Sequence, residues 1–136
     1  MPLVSRKGIL AIAAVLDVAL HARSRPVSAK ALAARHKLPP RHLEPVLQAL
    51  VRDGILRGVR GPHGGYELAR DHCQVSADDI LRAVNADDDA DHPLLPHSAL
   101  ANDVVKPALL EAVRAFSLAL GRISVEDMAK RAQALK

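Results

Sequence analysis

The chain has 136 residues, the size of one domain or of one domain with an appendage, and 49% of them are hydrophobic. Its aromatics are only Tyr66 and Phe116 and its one cysteine is Cys73, so the core must be aliphatic, an internal disulfide is excluded, and a reducing cytoplasm is the expected compartment. The net charge of +4 hides an asymmetry: residues 1–72 carry 12 Lys/Arg against 5 Asp/Glu, residues 73–105 carry 1 against 7, and residues 106–136 carry 6 against 3. A basic half beside an acidic segment points to a polyanionic partner for the first half alone. No apolar run approaches the roughly 20 residues of a membrane span. Ile9–Leu20 is long and apolar, but Asp17 interrupts it and no small-residue cleavage site follows. It reads as a buried helix, not a signal peptide, and no membrane partner is expected.

In chain order, Ile9, Ile12, Ala13, Leu16 and Leu20 recur at helical spacing and predict a helix over 6–22, ended by Ser24-Arg25-Pro26. Ser28 is a natural N-cap for a short helix over 29–36. Lys37-Leu38-Pro39 makes a tight turn, and Pro40 suits the first position of a third helix reaching Arg52. Pro45 is awkward inside that helix, because proline removes a hydrogen bond and crowds the preceding turn; the spacing therefore predicts a late start or a kink. Gly54 is placed to end the helix in the left-handed conformation. Two short strands around Gly61-Pro62-His63-Gly64-Gly65 form a β-hairpin. Ser76-Ala77-Asp78-Asp79 opens a helix to about Val84.

Asp87-Asp88-Asp89-Ala90-Asp91, with Pro93 and Pro96, then signals a loop. It divides the chain into an N-terminal unit (1–86), an acidic, proline-containing effector loop (87–97) and a helical arm (98–136). In the arm, Val105, Leu109, Val113, Phe116, Leu120 and Ile123 step by four and three, a seam that expects a second helix. Pro107 is a kink signal in its early part, and Ser124 is placed to cap a last helix over 125–135.

Two helices joined by a short turn and followed by a hairpin give the winged helix-turn-helix order. The fold expected is mainly α, with a two-stranded β wing and a long C-terminal dimerisation helix. In that arrangement the third helix enters the major groove of a duplex. Pro40, Arg41, His42, Glu44 and Gln48 lie on its leading part, with Arg41 suited to guanine and Glu44 to cytosine. Arg6, Lys7, Ser28 and Lys30 are placed to meet phosphates. At the hairpin tip, Arg60 and His63 reach for the minor groove, with Gly64 permitting close backbone approach.

The run Val59-Arg60-Gly61-Pro62-His63-Gly64-Gly65-Tyr66-Glu67-Leu68-Ala69-Arg70 closely resembles the Rrf-two family of winged-helix transcription regulators, which includes iron–sulfur, nitric-oxide and cysteine regulators. Leu43-Glu44, Leu47, Leu50 and Gly54-Ile55-Leu56 carry the same resemblance, as do Arg6-Lys7-Gly8, Leu16-Asp17-Val18-Ala19 and Ile80-Leu81-Arg82-Ala83-Val84. His63 departs from the glycine usual at the wing tip. The resemblance implies a homodimer, held by the helix after the wing, that binds double-stranded DNA at a palindromic operator and usually represses. Sensors of the family carry three cysteines between the helix after the wing and the dimerisation helix. Residues 86–102 hold none, and thiolates are the ligands such clusters need; no cysteine-ligated iron–sulfur cluster is expected.

Other readings stand beside this one. No nucleophile–base pair or complete metal triad points to an enzyme. Sensing has three candidate routes: a metal or small ligand at the 87–97 loop with His92 and His97, oxidation of Cys73, or a partner protein on the acidic segment. A winged helix used only for protein contact is the alternative to DNA binding.

Overall fold

Helix α1 (Arg6–His21) turns Ala11, Ala14, Val15 and Val18 inward and buries Gly8 in its first turn. A Cβ on Gly8 would lie 2.6 Å from Leu81 Cδ2, so glycine is what lets α1 approach the helix after the wing. The computed structural model describes residues 4–21, 25–85 and 98–135; the expected effector loop at 87–97, with His92 and His97, lies outside the described residues.

Helix α2 (Ala29–Arg35) is capped by Ser28, whose hydroxyl oxygen accepts from Ala31 N–H at 3.0 Å. The turn after it holds Lys37 at φ 55°, and Leu38 N–H reaches back to the Ala33 carbonyl at 3.0 Å. That closes the helix with a non-glycine residue in the left-handed region, at a cost of about 1–2 kcal/mol. Helix α3 (Pro40–Arg52) begins where Pro40 predicts and runs through Pro45, so the expected late start does not occur. Its sixth residue is Pro45, so the missing donor belongs to the Arg41 carbonyl, on the exposed first turn. Gly54 ends it at φ 75°, with Ile55 N–H returning to the Leu50 carbonyl at 2.9 Å.

Strands β1 (Leu56–Val59) and β2 (Gly65–Leu68) pair antiparallel, Leu56 opposite Leu68 and Val59 opposite Gly65. Val27, between α1 and α2, adds a bridge to Tyr66 with bonds of 2.9 and 2.8 Å. Gly65 permits it: a Cβ there would stand 2.5 Å from the Val27 carbonyl. A 3-10 turn (His72–Gln74) leads to α4 (Ala77–Asn85), which opens with the Ser76–Asp79 capping box at 3.0 and 3.1 Å.

A π-helical turn (Ala101–Val105) precedes α5 (Lys106–Gly121). The wider turn falls just ahead of Pro107, which cannot donate to the carbonyl four residues back. Helix α6 (Val125–Ala134) carries a full capping box between Ser124 and Asp127. The starts of α4 and α6 lie side by side, through Ala77 N–H to the Ile123 carbonyl and Val125 N–H to the Val75 carbonyl, both 2.8 Å. Val125 is fully buried in the same cluster as Leu32, Leu43, Leu47, Leu50 and Ile80. The last helix of the arm therefore completes the core that the first half builds.

Candidate nucleic-acid interface

Burial divides α3 cleanly. Leu43, Val46, Leu47 and Leu50 are buried, while Arg41, His42, Glu44, Pro45 and Gln48 are exposed along the other side. The anchoring of one face in the aliphatic core leaves a rigid polar ridge on the surface. Pro40 is exposed at its start. Among the described residues Arg41 and Arg60 make no ion pair, unlike Arg57, whose Nε donates to Glu67 Oε1 at 2.6 Å across the wing. Cations without an internal partner keep their full field for a polyanion.

The wing places Arg60 just beyond β1, exposed, with His63 exposed at the tip and Gly64 half-buried. A Cβ on Gly64 would collide with the carbonyl oxygen of Val59, so the tip can turn this tightly only with glycine there. Lys30 is exposed on α2, whereas Lys7 and Ser28 are half-buried. A cleft of about 310 Å³ brings Ser28, His63 and Gly64 together, along with His21, Arg25 and Arg35. The last three were not among the residues the sequence suggested for binding.

Behind that cleft lies Asp17, the one buried charged residue among those described, 7% exposed. Its carboxylate accepts from Arg35 Nη2 at 2.7 Å and Nε at 3.0 Å, and lies 3.0 Å from His36 Nε2 and 3.1 Å from His21 Nδ1. A charge taken out of water needs such partners. The sequence signal was an aspartate inside an otherwise apolar helix; spacing alone does not say that Arg35 and His36 would meet it.

The seam residues separate into three groups. Val105, Leu109 and Val113 are exposed, together with Leu110 and Leu118, which the seam left out; Leu109 is 60% and Leu118 68% exposed. Phe116 and Leu120 are half-buried on the side where Ser117 Oγ donates to Asp78 at 2.6 Å and ties α5 to α4. Ile123 is not on α5 at all: it lies in the turn before α6, its carbonyl held by Ala77.

Cys73 is exposed beside Asp71, whose carboxylate accepts from Cys73 N–H at 3.3 Å. Hydrogen bonding to Asp71, then desolvation, then the charges of Asp71 and Glu126 hold the thiol above its ordinary range. The backbone bond from Cys73 in turn keeps Asp71 below the usual carboxylate range. A thiol kept protonated is a poor nucleophile and a poor ligand. No group of three or more His, Cys, Asp or Glu among the described residues is arranged to hold a metal ion, and no described helix is long and apolar enough to cross a membrane.

Residues 4–131 match the family profile described as "Rrf2: Iron-dependent Transcriptional regulator". The HTH-type transcriptional regulator IscR of Xenorhabdus nematophila is 31% identical over 134 residues, 95% of this chain and 80% of that protein. An HTH-type regulator of Haemophilus influenzae is 42% identical over 79 residues, 58% of this chain and about half (53%) of that protein's length. Among solved structures, T. potens IscR superposes with a TM-score of 0.77 at 30% identity, covering 98% of this chain and 90% of that one. CymR of B. subtilis gives 0.72 at 24% identity, covering 94% and 96%, and so supports the fold. Against that description, the whole chain has one cysteine, so a single copy cannot supply the several thiolates of a cysteine-ligated cluster.

Proposed function

The chain belongs to the Rrf2 family of transcriptional regulators, and from that premise we propose that it is a sequence-specific, double-stranded DNA-binding repressor that acts in the cytoplasm as a homodimer. The observation that carries this reading is α3: an amphipathic helix with its apolar face locked into the core and Arg41, His42, Glu44 and Gln48 presented outward. An α-helix fits the major groove, and such side chains match base edges there. Arg60 and His63 on the wing take the adjacent minor groove, while Lys7, Ser28 and Lys30 set register on phosphates.

Dimerisation follows from α5. It has no fully buried residue, yet displays Leu109, Leu110 and Val113 to solvent, with Val105 exposed in the π-helical turn just before it. A contiguous apolar face of this kind marks an interaction surface, and a second copy of the same helix would place two reading heads on successive turns of a palindromic operator. Regulation proceeds without a cysteine-ligated iron–sulfur cluster, since one cysteine per chain cannot supply the ligands. Protein purified without air is expected to carry no stoichiometric iron and sulfide.

Selection from a random duplex pool tests the central reading. A palindromic sequence should be enriched, and Arg41→Ala should cost about 1–3 kcal/mol and relax preference at one base pair in each half-site. Failure of any duplex to outcompete random DNA at moderate salt would overturn it and favour a protein-contact module.

A further inference from the structure

We propose that the cleft between α2 and the wing tip is a phosphate cradle for the operator backbone, preset by Asp17 through Arg35. The inference rests on the DNA-binding reading above and adds residues to it. The cleft, about 310 Å³, is lined by His21, Arg25, Ser28, Arg35, His63 and Gly64 among others, and no carboxylate among the described residues lines it. Its chemistry is that of a site for a small oxyanion: two guanidinium groups, two imidazoles and a hydroxyl around one opening.

Arg35 is the central group. Asp17, buried on α1, takes its Nε at 3.0 Å and its Nη2 at 2.7 Å. A guanidinium has five N–H donors in a flat fork, so one edge is spent on Asp17 and three donors remain. Arg35 stays 40% exposed while held this way. The buried carboxylate thus fixes one edge of the fork and leaves the other free, so little rotamer freedom is left to lose when an anion arrives. Ser28 contributes similarly: its oxygen is occupied by Ala31 N–H, which leaves its own hydroxyl proton to donate. The Val27–Tyr66 bridge ties the residue before Ser28 to β2, which links the two walls of the cleft through backbone hydrogen bonds. Asp17 is accordingly a positioning residue and Arg35 a phosphate-contacting one.

The test is the salt dependence of operator binding by the full chain. The variant pair Asp17→Asn with Arg35→Gln keeps two hydrogen-bonding amides in place and avoids stranding a buried charge; thermal unfolding checks that it folds. Each phosphate contact contributes about 0.9 to the slope of log K against log salt, so a dimer losing two should lose about 1.8. The selected operator sequence should not change. Asp17→Asn alone should weaken binding, and adding it to Arg35→Gln should bring no further loss, because both act through one contact. A folded double variant with wild-type affinity and slope overturns the proposal. So does saturable binding of inorganic phosphate, followed by the His63 imidazole signals, with an operator slope unchanged in the double variant; the cleft would then serve a free anion. Neither result touches the DNA-binding reading, which fails only if the wild-type chain selects no operator.

Discussion

The helix-turn-helix half and α5 are made from the same aliphatic residues, but they use them in opposite ways. In the first half, Leu32, Leu43, Leu47 and Leu50 are fully buried in the cluster that Val125 of α6 also joins. On α5, Leu109, Leu110, Val113 and Leu118 are each at least half exposed, and the helix has no fully buried residue. Composition alone does not separate the two. What differs is whether the chain folds back to cover the apolar face, as it does for the first half and for α6, or leaves it to another molecule.

Charging the α5 face should give the largest effect. Leu109→Glu with Val113→Glu forfeits about 1.5–3 kcal/mol for each side chain left uncovered, and a two-fold interface loses four of them. Sedimentation should show a monomer at micromolar concentration, with unfolding temperature of the first half little changed and operator affinity lost. If the doubly charged chain stays dimeric, α5 is not the interface.

Leu47→Ala is the converse. It removes a fully buried side chain beside the reading face and should cost about 2–5 kcal/mol in chemical denaturation. The dimerisation constant of the protein that remains folded should be unchanged. A smaller loss, under about 1 kcal/mol, would mean that the core collapses around the site.

Ser124→Ala sharpens the boundary between the regions. It removes the oxygen that caps α6 at 3.0 Å and should cost about 1 kcal/mol. Because Val125 belongs to the central core, the loss should appear in the same cooperative transition as Leu47→Ala. A separate, earlier transition would show α6 to be an independent arm.

The smallest effect concerns the junction at Cys73. Asp71 raises the thiol pKa by hydrogen bond and by charge, so its removal lowers that pKa and increases the thiolate fraction at any pH below it. Asp71→Asn should alkylate with iodoacetamide several-fold faster near pH 8. An unchanged rate would mean that Asp71 does not set the thiol.

Much of this was legible from residues alone. Ser28, Ser76 and Ser124 all cap the helices they precede, Gly54 turns left-handed, and the glycines at 61–65 shape the wing, because each is a local rule about one backbone group or one dihedral. The late start expected at Pro45 failed for the same reason in reverse: the local penalty is real, but burial of four apolar residues on α3 outweighs one lost hydrogen bond near an exposed turn. The seam was legible as a period, but the period ran past the helix end to Ile123 and left out Leu110 and Leu118.

What the sequence by itself determined is therefore the set of elements, the reading helix with its exposed polar face, the wing and the family. Those depend on periodicity, capping and glycine dihedrals, which act over a few residues. Only the tertiary structure decided that α6 completes the first-half core, that α5 stays uncovered, and that Asp17 holds Arg35 beside the wing tip. These depend on contacts between residues 18 or more positions apart, and sequence spacing carries no record of which distant groups the packing brings within hydrogen-bond reach.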